Sequence, residues 1–109
     1  MSKETAPLLG GSAATQTAAG TTQTTAAAVT GDNVHLPAVA ASAGIILQLG
    51  NGGDSGWVTN GDLVNSLKVY PPVGGQFNGY TVNSPAILPP NSALIYKVIA
   101  PLTISIVMS

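Results

Sequence analysis

From residue 31 onward the chain consists of short apolar runs separated by turn-forming clusters. Val, Ile, Leu and Tyr gather at Asn33–Leu36, Gly44–Leu49, Leu67–Tyr70, Gln76–Phe77, Tyr80–Val82, Leu94–Ile99 and Leu102–Met108. Each run is too short for a helix of ordinary length and rich in residues that favour strands. Leu102-Thr103-Ile104-Ser105-Ile106 alternates strictly, which predicts a strand with one buried and one wetter face. Leu94, Tyr96 and Val98 fall on one side of their run, and Ile95, Lys97 and Ile99 on the other. The clusters between the runs are turn chemistry: Gly31-Asp32-Asn33, Gly50-Asn51-Gly52-Gly53, Asn60-Gly61, Pro71-Pro72, Gly74-Gly75, Asn78-Gly79 and Pro89-Pro90-Asn91. No heptad and no long amphipathic helix interrupts this pattern. The expectation is an all-β domain over residues 31–109, a small antiparallel β-barrel or sandwich of jelly-roll type.

Residues 1–30 follow a different rule. Gly10 to Thr30 is almost wholly Ala, Thr, Gly, Gln and Ser, with the imperfect repeat Thr15-Gln16-Thr17-Ala18-Ala19 and Thr22-Gln23-Thr24-Thr25-Ala26-Ala27. Such a segment has too little apolar bulk to offset its own ordering entropy, so it orders only against something else. It is expected to form an extended arm. Pro7-Leu8-Leu9 is the one apolar knot near its start and the expected anchor. Fully extended, such an arm spans roughly 100 Å, enough to cross a neighbouring subunit.

Composition points the same way. The chain is 45% hydrophobic yet only 6% charged, against roughly 25% charged in ordinary soluble domains. It has no arginine, and its charges are Lys3, Lys68, Lys97, Glu4, Asp32, Asp54 and Asp62. So little charge implies that much of the surface ends against other protein. Three scattered lysines cannot displace counterions from phosphates, so nucleic acid is not an expected partner. A polybasic membrane contact fails on the same count. Lys3 is followed by Glu4, Pro7 and a Gly/Thr-rich run, which leaves no apolar core for a signal peptide. Ala93 to Met108 is too short for a membrane helix and carries Lys97 and Pro101, so it reads as two strands. Without cysteine there is neither a disulfide nor a thiolate metal site. Removing the arm leaves roughly 80 residues, a marginal core that predicts oligomerisation.

The search for reaction chemistry returns little. Gly53-Asp54-Ser55-Gly56 resembles the nucleophile segment of trypsin-like serine proteases but breaks at Trp57, and the only acidic residue between the single histidine, His35, and Ser55 is Asp54 itself. Asp54 and Asp62 fall short of the six to eight oxygens that calcium takes. Gly50-Asn51-Gly52-Gly53 lacks the Gly-Lys-Ser/Thr of a phosphate loop and reads as a protruding loop. No catalytic residue, metal site or cofactor is expected. Tyr70, Phe77 and Tyr96 are expected to hold the fold or an oligomer together, whereas Trp57, in the Gly50–Gly61 segment, is expected at an exposed tip or an interface.

Four blocks carry a resemblance. They are Val34-His35-Leu36-Pro37, Gly44 leading into Ile45–Leu49 and Gly50-Asn51, Val69-Tyr70-Pro71-Pro72 with Gly74-Gly75 and Phe77-Asn78-Gly79, and the Leu88–Tyr96 approach. In this order, after a Thr/Gln/Ala-rich run, they resemble the head decoration (cement) and head-fibre proteins of tailed phages over about two thirds of the chain. The segment Gly52–Leu63 is longer than that pattern. The resemblance implies a non-enzymatic virion protein, made in the host cytoplasm and placed on the outer capsid surface. Its implied partners are the major capsid protein and itself, with a homotrimer favoured and a dimer left open. The alternative expectation is a head- or tail-fibre module that binds a host-surface glycan through Trp57. A small hydrolase built on Asp54 and Ser55 is the weakest of the three.

Overall fold

The computed structural model describes residues 14–48 and 55–108. Its strands are β1 (Ala14–Thr15), β2 (Ala27–Ala28), β3 (Asn33–Leu36), β4 (Gly44–Ile46), β5 (Ser55–Asn60), β6 (Leu67–Tyr70), β7 (Gln76–Phe77), β8 (Ala86–Leu88), β9 (Ser92–Ala100) and β10 (Thr103–Met108), with no helix among the described residues. They form two sheets. Sheet A has the order β1-β3-β5-β9-β10-β7 and sheet B the order β2-β4-β6-β8.

The pairing overturns the expected barrel or sandwich. β1, β3 and β5 are parallel neighbours in sheet A, and β2, β4 and β6 are parallel neighbours in sheet B. The chain therefore alternates between the sheets and returns each time one strand further along. This is a β-solenoid of three stacked coils (β1–β2, β3–β4 and β5–β6), not an antiparallel barrel, sandwich or jelly roll. The physical reason lies in the turns. Pro37–Ala43 and Gly61–Ser66 are corners that carry the chain from one sheet to the other, where an antiparallel fold needs hairpins that reverse it within a sheet. Among the named strands, antiparallel pairing begins only after the third coil: β8 on β6, β9 on β5, and β10 on β9.

Inward positions follow the period of two. Ala14, Val34, Val58 and Leu94 are aligned across sheet A, and Ala27, Ile45, Val69 and Ala86 across sheet B. Between the sheets Val34, Leu36, Ile45, Val58, Leu67, Val69, Phe77, Leu88 and Leu94 are completely buried. Each such side chain is worth roughly 1.5–3 kcal/mol in transfer free energy. Leu94, Tyr96 and Val98 face this core, and Ile95 and Ile99 face out, as the alternation predicts.

Three segments depart from the expected elements. β1 and β2 lie within residues 1–30, and both pair inside the sheets; Ala18 and Val29 join the core. Ser55–Asn60, expected as part of a protruding loop, is a strand at the centre of sheet A. Tyr80–Val82, expected as a strand, is a run of turns. Tyr80 N–H donates to Phe77 O (2.9 Å), Asn83 N–H to Gly75 O (2.8 Å) and Ser84 N–H to Thr81 O (3.1 Å), so local bonds take the place of a ladder. Before it, Pro72 to Gly75 closes through a 2.8 Å bond from Gly75 N–H to Pro72 O. Gly74 has φ +85° there, the left-handed conformation that this turn requires of its third residue.

Candidate interaction surface

The strands of sheet A sort their side chains into two faces, and the outer face is unusual. Trp57 on β5 is in register with Ile95 on β9, which is in register with Val107 on β10. The three remain 47%, 44% and 65% exposed. Asn33 extends the row onto β3. The neighbouring row is Ser55, Lys97 and Ser105. Lys97 is the single charge on β5, β9 and β10. The result is a rigid, nearly uncharged face carrying a line of large apolar side chains. Scattered exposed apolar residues are ordinary on soluble proteins, but an aligned set on a sheet face is the pattern of a contact surface.

Trp57, expected at an exposed tip or an interface, stands exposed on the outer face of a central strand and not at a loop tip. Tyr70, Phe77 and Tyr96 are buried within the protomer. The Tyr70 hydroxyl donates to Thr21 O (3.2 Å) and ties the first corner to β6. Phe77 packs edge-on against Tyr80, with ring centroids 5.9 Å apart. Tyr96 lies over Gly56, its partner across the β5–β9 ladder. Pro7, Leu8 and Leu9, the expected anchor, and Asp54 lie outside the described residues.

The residues weighed for chemistry are placed apart. His35 pairs with Thr59, four positions along β5 from Ser55 and so roughly 13 Å away along the strand. No group of three metal-ligating side chains comes together among the described residues. No helix there is long and apolar enough to cross a membrane.

Asp62 has a different task, which sequence reasoning missed. Its Oδ2 accepts from Val39 N–H (2.8 Å), and its Oδ1 accepts from Val64 N–H and Asn65 N–H (2.8 Å each). These three donors stabilise the carboxylate and lower its pKa, the Val39 bond first, against a smaller opposing effect of desolvation. Asn60 is completely buried beside it. Its Nδ2 donates to Asn65 O (3.0 Å), Leu88 O (3.2 Å) and Pro89 O (3.2 Å), and its Oδ1 accepts from Asp62 N–H (3.0 Å). Asn65 Nδ2 donates to Val39 O at 2.7 Å. Together these bonds bind the second corner, the third corner and the turn between β8 and β9. The available signal was Asn60-Gly61-Asp62 followed by Asn65, polar side chains spaced to hydrogen-bond backbone groups in a turn. The turn they fix presents Leu63 and Val64 to solvent, 78% and 79% exposed. No family model, no curated protein and no solved structure matches this chain.

Proposed function

We propose that this protein is a structural component of a phage virion that coats the outer capsid surface and stabilises it by contact with the major capsid protein. Support comes from the outer face of sheet A. Trp57, Ile95 and Val107 form an exposed apolar row there, with Lys97 as the one charge. A face of this kind gains free energy when covered by another protein and offers little to a charged ligand. Pro7, Leu8 and Leu9 supply a second anchor, which ties a neighbouring capsomer to the one under the domain. The mechanism is linkage: a protein that binds only the assembled lattice stabilises it by mass action, with no chemical step.

The test is binding of the purified protein to undecorated capsids, followed by co-sedimentation. Joint replacement of Trp57→Ala and Ile95→Ser is expected to weaken binding on the order of tenfold or more, because a large aromatic at the centre of an interface carries a disproportionate share of its energy. Circular dichroism of the variant must match the parent chain. Undiminished binding would remove sheet A from the interface. A glycan array run alongside is expected to show no sugar retention; specific retention that is lost with Trp57→Ala would replace the capsid reading with the fibre reading.

A further inference from the structure

The edges of the two sheets are closed in different ways. β1 and β2 are two residues each, too short to template another strand. β8 is three residues long and stands between Pro85 and Pro89. β10 has none of these protections. It pairs with β9 along its whole length, from Thr103 to Met108. On its other side it pairs with β7 at Thr103 and Ile104 alone.

The hydrogen bonds show which groups this leaves open. Gln76 N–H donates to Leu102 O (2.9 Å), and Asn78 N–H donates to Ile104 O (2.8 Å). The backbone of Leu102 and Ile104 therefore faces β7. By the period of two, the N–H and C=O of Ile106 and Met108 face the same side, beyond the end of β7. Among the described residues nothing pairs with them there. The strand carries no charge and no proline from Thr103 to Met108, the features by which sheet edges are ordinarily blocked.

We infer that Ile106–Met108 pairs with the same segment of a second copy of this chain, antiparallel about a two-fold axis at Val107. The register follows from the open groups. Ile106 of each copy exchanges N–H···O bonds with Met108 of the other, and Val107 meets Val107 in the closer, non-hydrogen-bonded position. A β-branched pair is favourable in that position. A two-fold contact between identical segments is self-complementary and closes, so it ends at a dimer and does not grow into a fibre. The same pairing continues the outer row, so that Trp57, Ile95 and Val107 of one copy run on into Val107, Ile95 and Trp57 of the other. Lys97 stands opposite Ser105 and so away from the axis, where it does not repel its counterpart. This association does not depend on the capsid reading.

Sedimentation equilibrium of the full chain tests it, together with amide hydrogen exchange. The expected mass at high concentration is twice 10.8 kDa. Val107→Lys sets like charges against each other on the axis, and dimerisation is expected to weaken on the order of tenfold or more. Met108→Pro deletes an N–H that points to the open side and not to β9, so the chain should fold yet remain monomeric. Ile87→Lys, on the exposed face of sheet B, is the control and should leave dimerisation unchanged. In the dimer the amides of Ile106 and Met108 should exchange more slowly than in the monomeric Val107→Lys variant. A monomer or trimer at every concentration, a dimer as tight in Met108→Pro or Val107→Lys as in the parent chain, or equal weakening by Ile87→Lys each overturns the inference, as does unprotected exchange at Ile106 and Met108.

Discussion

Replacing Asn60 by alanine removes the one fully buried polar side chain among the described residues, and its cost can be worked out from its bonds. Nδ2 serves the carbonyls of Asn65, Leu88 and Pro89, and Oδ1 serves the N–H of Asp62. The bond to Leu88 O is buried, whereas the groups of Asn65, Pro89 and Asp62 are partly buried and find water more readily. A buried polar group left without a partner costs about 1–3 kcal/mol, and an ordinary lost hydrogen bond about 0.5–1.5 kcal/mol. One orphaned carbonyl plus partial losses at the other three groups places Asn60→Ala at roughly 2–4 kcal/mol. That is a large share of the 5–15 kcal/mol that holds a typical domain together.

Urea denaturation followed by far-ultraviolet circular dichroism measures this directly. With a slope of about 2 kcal/mol per molar in urea, the midpoint should fall by roughly 1–2 M. Asn60→Asp sharpens the test because it preserves shape and removes the donor. At neutral pH a buried carboxylate facing three carbonyl oxygens should be worse than alanine. As pH falls and the carboxyl regains a proton it can donate again, so the deficit should shrink. A midpoint for Asn60→Ala within the error of the parent chain would refute the role given to the corner network. So would an Asn60→Asp variant that is indifferent to pH.

Asp62 gives the opposite pH signature. Its folded pKa is depressed by three N–H donors, so its contribution to stability is complete above the ordinary carboxylate range and is lost as pH falls through the lowered folded value. Thermal melts between about pH 5 and pH 2 should show a steeper acid decline for the parent chain than for Asp62→Asn; parallel curves would contradict the assignment. Gly56→Ala should destabilise by about 1–3 kcal/mol, because its Cβ would run into the Tyr96 ring and come within 2.5 Å of Asp32 O; an unchanged denaturation midpoint would refute that packing.

The strand positions were legible because the sequence carries its β-branched residues in runs that alternate or end at turn residues. Asn33–Leu36, Leu67–Tyr70 and Gln76–Phe77 fall where the pattern places them, as does the start of the Gly44 run. The partners of those strands were not legible. A period of two says which way a side chain points and nothing about which strand lies beside it. Pro37–Ala43 has the same composition whether it turns a hairpin or a corner. An internal repeat would have exposed the solenoid, but the steps from Ala14 to Val34 and from Val34 to Val58 differ in length, as do those from Ala27 to Ile45 and from Ile45 to Val69. β1 and β2 were invisible for a further reason. Alanine and threonine supply little apolar bulk, and these strands form because the next coil offers a ready backbone edge. β5 was hidden by Gly56 and Asn60, whose inward positions serve Tyr96 and the corner network instead of adding apolar volume.

The same stacking changes where a binding arm can begin. Coils in a solenoid contact only their neighbours, so removing an end coil uncovers the next. Residues 14–30 are the first coil. Gln16 N–H donates to His35 O (3.0 Å), Val29 N–H to Ile46 O (3.0 Å) and Gln23 Nε2 to Pro71 O (2.9 Å). Deleting residues 1–30 would therefore strip the parallel partners of β3 and β4 along with Ala18 and Val29 from the core, at a cost of roughly 3–5 kcal/mol. Loss of capsid binding in that variant would say nothing about an anchor. Deleting residues 1–13 spares every strand of the described residues and every one of these bonds. Its denaturation midpoint should equal that of the full chain, while its retention on undecorated capsids should fall. Retained binding would remove Pro7, Leu8 and Leu9 from the interface. A lowered midpoint would instead assign residues 1–13 to the closing of the solenoid end at β1 and β2.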